Sequence, residues 1–344
     1  VGYRELPVAH GPSPSQGLAA LGAALVRPPR YSEKFLPQEY SLLHKVWCLL
    51  EGDGREAGIL DVGAGNANCA TLAAALLGLT VICVERESPR VELRAEMQLP
   101  PRLRPRVVRV ESDIADFGTD ALRGLASTHG LRRLVVVAKH PCGIGVDRTI
   151  EFAGRLRSAP ADGQTPAIVG LVMATCCTNK LSLDDNRVSR VGEFCSLYSA
   201  AVRPRGGSSA LEAAVEVLSR CSAWRSASGS EGNAIHGDQV AWAELFEDAV
   251  QALRLRRLAE LFEAVAQVRF APSECTLQDR CLVAGAAPLP EGILAHGEAS
   301  RDGGFLRRLR AGAAELLADG GPMDCRPKGL KSAKYDFDYT GISE

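Results

Sequence analysis

Five short apolar runs, each separated from the next by a stretch at helical spacing, constrain this chain more than any other feature. The runs lie at residues 58–62, 80–84, 107–111, 134–138 and 168–175. Between them, residues 67–77, 89–97, 119–128 and 146–157 carry apolar side chains at helical intervals. Strands joined through helices pair in parallel, and helices then cover both faces of the sheet. Strands buried on both faces read as near-continuous apolar runs, and LRRLVVVA and AIVGLVMAT do so. A further helix is expected near residues 37–50, ahead of the first strand.

The pattern changes after Cys177. Residues 183–238 are rich in Ser, Arg and Gly and read as an insertion with one helix, at 210–221. A long helix is expected over 239–265, then strands at 266–271 and 280–284. Two strands this close pair only as an antiparallel hairpin. Five parallel strands, a helix and a terminal hairpin are the inventory of an α/β, Rossmann-like class I S-adenosylmethionine-dependent methyltransferase fold. Its sheet is seven-stranded and mostly parallel. The expected division is an N-terminal extension at 1–32, the main domain at 33–286 and a C-terminal extension at 287–344. The last residues, RPKGLKSAKYDFDYTGISE, are expected to be mobile or docked elsewhere.

Composition narrows the function. The 344 residues are 46% hydrophobic and 24% charged, with a formal net charge of −1. That balance excludes a strongly basic nucleic-acid coat but not a local basic patch. There is no apolar stretch of ~18 residues and therefore no expected membrane span. The start, VGYRELPVAHGPSPSQG, lacks a basic lead and an apolar core, so it does not read as a secretory signal. It begins with Val, as expected of a chain whose natural start lies further upstream. The odd count of 11 cysteines argues for reduced thiols in a cytoplasmic or nuclear protein. No Cys pair has the spacing of a zinc ribbon or finger, so no metal is expected.

The sharpest local signal is Ile59-Leu60-Asp61-Val62-Gly63-Ala64-Gly65-Asn66-Ala67. A strand runs into a Gly-x-Gly turn that opens a helix, and the glycines let backbone approach a ligand. Asp61, at the strand end, is placed to anchor a ligand amine directly or through water. A dinucleotide fingerprint needs Gly or Ala at the third position, where this chain has Asn68. The D-x-G-x-G form instead favours motif I of the methyltransferases over a nicotinamide enzyme. Glu85 ends the second strand, where an acid accepts hydrogen bonds from both ribose hydroxyls. Asp113, after the third strand, stands at the adenine position. The expected cofactor-binding set is Asp61, Gly63, Ala64, Gly65, Asn66, Glu85, Asp113 and Lys139.

The fourth strand delivers Lys139-His140-Pro141-Cys142-Gly143-Ile144-Gly145-Val146-Asp147. Ligands in open α/β sheets bind beyond the carboxyl ends of strands. Lys139 and His140 are therefore expected near the transferred group, and either can take a proton from an acceptor hydroxyl. Asp147, one turn into the next helix, either orients His140 or is a favourable acid at a helix start. The fifth strand ends in Cys176, Cys177, Thr178 and Asn179. With Cys142 these are the expected acceptor pocket, the vicinal thiols being a poor metal site.

Together DVGAG, KHPCGIGVD, ATCC and SECTLQDRCLVAG resemble the eukaryotic tRNA 2′-O-methyltransferases that modify the ribose of nucleotide 4 in the acceptor stem. The family's K-H-L-C-G-x-x-x-D is matched by Lys139, His140, Cys142, Gly143 and Asp147. Its C-C-H-H is matched by Cys176 and Cys177 only, with Thr178 and Asn179 in place of the histidines. Its late S-x-T-x-E-N-x-L-L-x-A is matched at Ser273 and residues 282–284. The likeness spans roughly residues 33–286. It implies S-adenosyl-L-methionine as donor, the tRNA acceptor stem as substrate and a role in tRNA processing. The zinc-binding modules that precede the family's catalytic domain have no counterpart in this sequence. Arginines at 86–109, Arg203, Arg205, 254–257 and 307–310 are candidates for phosphate contact. The two open alternatives are a different acceptor, protein or RNA, and a non-catalytic cofactor- or RNA-binding module.

Overall fold

The computed structural model describes residues 16–159, 165–175, 177–183, 187–201, 208–224, 237–271, 279–290, 293 and 303–324. In chain order it forms α1 (Gln16–Ala23), β1 (Leu25–Val26), α2 (Pro29–Leu49), β2 (Ala57–Val62) and α3 (Asn68–Leu72). Next come β3 (Thr80–Glu85), β4 (Val107–Glu111), α4 (Thr119–Thr128), β5 (Arg133–Lys139), α5 (Gly145–Arg157) and β6 (Ala167–Ala174). The chain continues through α6 (Val191–Leu197), α7 (Ser208–Cys221), α8 (Gly237–Ala259), β7 (Ala264–Arg269) and β8 (Arg280–Gly285). It closes with α9 (Gly303–Gly320) and β9 (Met323–Asp324). None of the helices is long and apolar enough to cross a membrane, among the described residues.

Seven strands form one sheet in the order β4-β3-β2-β5-β6-β8-β7. The first five are parallel, and β8 lies antiparallel between β6 and β7. The expected parallel sheet and late hairpin are therefore both present. Alternation along each strand explains the unbroken apolar runs. Ile59, Val81, Cys83, Val135 and Val137 enter one core, with α2, α3 and α9. Leu60, Ile82, Val84, Leu134 and Val136 enter the other, with α4 and α5. Both faces are covered, so no position in these strands can be polar at low cost.

Strand order reverses at β2, whose neighbours are β3 and β5. The crevice beyond the strand ends opens at such a point. The short β1–β9 pair brings the two ends of the described chain together. Leu21 and Leu25 from one end, and Phe305, Leu309 and Met323 from the other, share the core that contains α2.

Five expectations about local structure are corrected. Residues 89–97 form 3-10 turns at Val91–Leu93 and Ala95–Gln98, not an α-helix. The Ala95 amide bonds the carbonyl of Asn66 and Glu96 pairs with Arg109, so tertiary partners replace helical ones. The long helix stops at Ala259, and β7 starts at Ala264 because it must register against β8 up to Gly285. The insertion holds α6 as well as the expected helix α7. The helix over 67–77 is α-helical to Leu72 and then widens into a π-helical turn, Ala73–Leu77. The helix before β2 begins earlier than expected, at Pro29, where Pro is well suited to a first helical position.

Candidate functional site

The strand β2 ends in the Gly63–Ala67 loop. Gly63 and Gly65 have φ of +69° and +50°, and a Cβ at either would meet nothing within 4 Å. Backbone conformation, not crowding, demands glycine there, and the space above is open. Two contacts fix the loop. Glu85 Oε2 accepts the Gly65 amide at 2.7 Å. Arg109, on β4, donates to the Gly65 carbonyl at 2.9 Å and pairs with Glu96.

Beyond the ends of β2, β3, β4 and β5 lies a cavity of about 280 Å³. Gly63, Glu85 and Asp113 line one part of it, and His140 and Cys142 another. Five of the expected site residues are thus brought to one space. Ala64, Gly65 and Asn66 belong to the loop but do not line the cavity. Arg86, Arg148, Lys180 and Arg190 add basic groups to its wall. Arg86 belongs to the arginine cluster singled out in the sequence, but Arg148, Lys180 and Arg190 were missed. Arg148 follows Asp147 directly, and its position was the available signal. Its guanidinium bonds Asp113 Oδ2 at 2.9 Å and Glu193 at 2.8 Å. Asp113 Oδ1 also accepts the Ala115 amide at 2.9 Å.

Asp61 and Lys139 lie in a neighbouring buried cluster. Burial pushes the Asp61 carboxyl up to about 7, with Glu85 adding to the rise and Lys139 and Arg109 opposing it. Lys139 Nζ is 3.4 Å from Glu39 Oε1 and 4.6 Å from the centre of the Phe35 ring. Glu39 also binds Arg27 at 2.6 Å, and its side chain is 1% exposed. Burial alone would raise its carboxyl, but Lys139 and Arg27 hold it below the usual range. Gln38 and Glu39 carried no sequence signal, because His140 and Lys139 lie about a hundred residues away, and Arg27 joins the cluster through Glu39.

His140 takes a left-handed backbone, φ +59°, at the strand end. Such a conformation is uncommon outside glycine, though His is among the residues enriched there. Its amide bonds the Ala174 carbonyl, and its own carbonyl accepts the Cys142 thiol. Burial pushes the ring's pKa down to about 4, with Lys139 and Lys34 acting in the same sense and Cys177 opposing. The ring is neutral at pH 7 and has a lone pair to offer.

The expected orienting role of Asp147 is corrected. Both its oxygens are taken by Arg254, at 2.7 and 2.9 Å, and Tyr198 donates to Oδ1 at 2.8 Å. This is a buried structural ion pair. Thr178 and Asn179 do not line the cavity. They sit in a turn, Thr178–Leu181, whose carbonyls accept bonds from Ser219 and Ser182. Lys180 of that turn reaches the cavity instead. Cys177 stands at the base of the turn and accepts the Gly143 amide at 3.3 Å. Cys176, Ser273, Arg203 and Arg205 lie outside the described residues.

The arrangement can hold a nucleoside. A carboxylate at the end of β3 faces the cavity, Gly63 at the start of the glycine turn lines it, and a neutral imidazole borders it. Glu85 Oε1 also accepts the Arg86 amide at 3.0 Å, and the carboxylate still has acceptor capacity beyond these two amides, since it has about four lone-pair sites. S-adenosylmethionine fits this donor and acceptor set. Compared with known proteins, residues 42–196 match the family described as Methyltransferase TRM13. No curated protein and no solved structure gives a significant match.

Proposed function

We propose, on the premise that residues 42–196 belong to the TRM13 methyltransferase family, that this protein methylates a ribose 2′-hydroxyl of tRNA. The donor in this reading is S-adenosylmethionine, and the target is nucleotide 4 of the acceptor stem. The strand order, with its late antiparallel insertion, supports reading the fold as Rossmann-like class I. One observation carries the functional reading: a single cavity joins Gly63, Glu85 and Asp113 to His140.

When bound, S-adenosylmethionine supplies a methyl group on a positively charged sulfur. The chain's own residues do the rest. Glu85 would accept the ribose hydroxyls, and Ser112, Asp113 and Ile114, which line the cavity, would border the base. In this reading Asp61, in the buried cluster beside the cavity, would anchor the amino end. His140 receives the proton of the acceptor hydroxyl. Arg86, Lys180 and Arg190, which line the cavity, are this reading's candidates for phosphate contact, and such contacts position rather than specify. A-form RNA is read by shape and 2′-OH contacts, so a small basic rim is enough.

The Thr178–Asn179 pair, in place of the family's histidines, favours a second reading: another acceptor, or binding without turnover. One assay separates them. The purified chain is incubated with methyl-labelled S-adenosylmethionine and total tRNA, and the digested nucleosides are identified by mass spectrometry. Label on a ribose 2′-oxygen is expected. Label on a base or on protein, or none while cofactor binds, would overturn the 2′-O assignment.

A further inference from the structure

The first turns of α2 precede the matched residues 42–196, yet two consecutive side chains there reach the last residue of β5 and the residue that follows it. Glu39 meets Lys139, and Gln38 Oε1 lies 3.1 Å from His140 Nε2. The Gln38 amide is not free to turn over. Its Nε2 donates to the Lys34 carbonyl at 2.8 Å, and reversing it would set oxygen against oxygen. The atom that faces His140 is therefore an acceptor. An acceptor opposite Nε2 requires the ring to carry its proton on Nε2. In a neutral imidazole the lone pair then belongs to Nδ1, because the bond made by one nitrogen sets the state of the other.

We infer that Gln38 is a positioning residue for methyl transfer: it holds His140 as the Nε2–H tautomer, which makes Nδ1 the atom that takes the acceptor proton. The inference rests on the 2′-O-methyltransferase reading above. The step balances. The hydroxyl oxygen bonds the methyl carbon as the carbon–sulfur bond breaks and leaves its pair on sulfur. The O–H proton passes to Nδ1, and the imidazolium returns a proton to water. Glu39 performs the complementary task. With the Phe35 ring it engages the Lys139 ammonium, a group with three donors and no lone pair, which leaves His140 as the base.

The charged and titratable groups around the ring are Lys139 on its own strand, Lys34 on α2 and Cys177 after β6. Replacing Gln38 by Glu keeps an acceptor opposite Nε2 and adds a negative charge that favours the imidazolium. Replacing it by Met keeps the length and removes the acceptor.

The test reads the tautomer first, in the protein without ligand. Histidine-labelled protein is studied by ¹⁵N NMR, with His140→Gln used to identify the His140 signals. The wild type is expected to show a protonated Nε2 and a pyridine-like Nδ1, and Gln38→Met a mixture of tautomers. In the transfer assay, Gln38→Met is expected to lower kcat about tenfold or more, with little change in KM for tRNA or in cofactor affinity. Gln38→Glu is expected to restore most of kcat and to move the acid limb of the pH profile upward. A protonated Nδ1 in the wild type would overturn the inference, as would wild-type kcat in Gln38→Met. So would loss of both Gln38→Met and Gln38→Glu with no shift in the acid limb. If the wild type transfers no methyl to tRNA, the functional reading fails, and the NMR result still decides the tautomer.

Discussion

Arg254 and Asp147 stand 107 residues apart in the chain and form a buried, two-pronged ion pair, at 2.7 and 2.9 Å, with side chains 1% and 0% exposed. The same guanidinium donates to the Gly143 carbonyl at 3.1 Å. The long helix α8 thereby ties down the turn that carries His140 and Cys142. Removing one partner leaves the other charge buried and uncompensated. Arg254→Ala and Asp147→Ala are each expected to destabilise the fold by about 3–5 kcal/mol, measured by urea unfolding. The double variant Arg254→Met with Asp147→Leu is expected to recover much of that loss, because no bare charge remains. A loss below about 1 kcal/mol in either single variant would contradict a buried pair.

Asp61 links stability to pH. Its carboxyl is raised by burial to about 7, from an ordinary value of 3.8. Between about pH 4 and about pH 7 the folded protein holds a proton that the unfolded chain has released. Stability therefore falls as pH rises through that window. Asp61→Asn removes this term, so its unfolding free energy is expected to vary less across the same window. Equal slopes for the two proteins would refute the raised carboxyl. Asp61→Ala is also expected to abolish S-adenosylmethionine binding by calorimetry.

His140 is expected to act on turnover rather than on cofactor affinity. His140→Ala should lower kcat by about 10²–10⁴, the range of general-base catalysis, with the cofactor Kd within about threefold of wild type. The wild-type rate should be flat through neutrality and fall only as pH approaches about 4, where the buried ring protonates. A weakened cofactor Kd in this variant would move His140 into the donor site.

Gly143 sits at φ +60°, and a Cβ there would lie 2.6 Å from the Lys180 carbonyl. Gly143→Ala therefore meets two penalties, a left-handed backbone and a backbone clash. The first alone costs about 1–2 kcal/mol. Thermal unfolding of the variant should show a loss at least that large. Because the clash pushes on the turn that carries Lys180 into the cavity wall, weaker cofactor binding is expected as well.

The parts of the site that were legible in the sequence are those built from contiguous residues. The Gly63–Ala67 turn follows its strand directly, Glu85 ends a strand and His140 directly follows one, and the runs of both strands announce themselves. Asp147 misled because its family position and its helix start are both visible, whereas its partner Arg254 is on a helix more than a hundred residues on. Thr178 and Asn179 misled in the same way: they follow a cavity-facing strand, but Ser219 on α7 holds their turn so that Lys180 faces the cavity. Residues 89–97 have helical spacing, yet Asn66 and Arg109 compete for their backbone and side chains.

By itself the sequence determined the parallel sheet, its late hairpin and the glycine turn. These follow from period, run length and the backbone freedom of glycine, all local or nearly local quantities. Only the tertiary structure decided which charges pair, which nitrogen of His140 carries its proton and which side chain of the 178–181 turn reaches the cavity. Those outcomes depend on burial and on partners distant in the chain. In a low-dielectric interior the energy of a polar group is set by the few atoms that touch it, not by its neighbours in sequence.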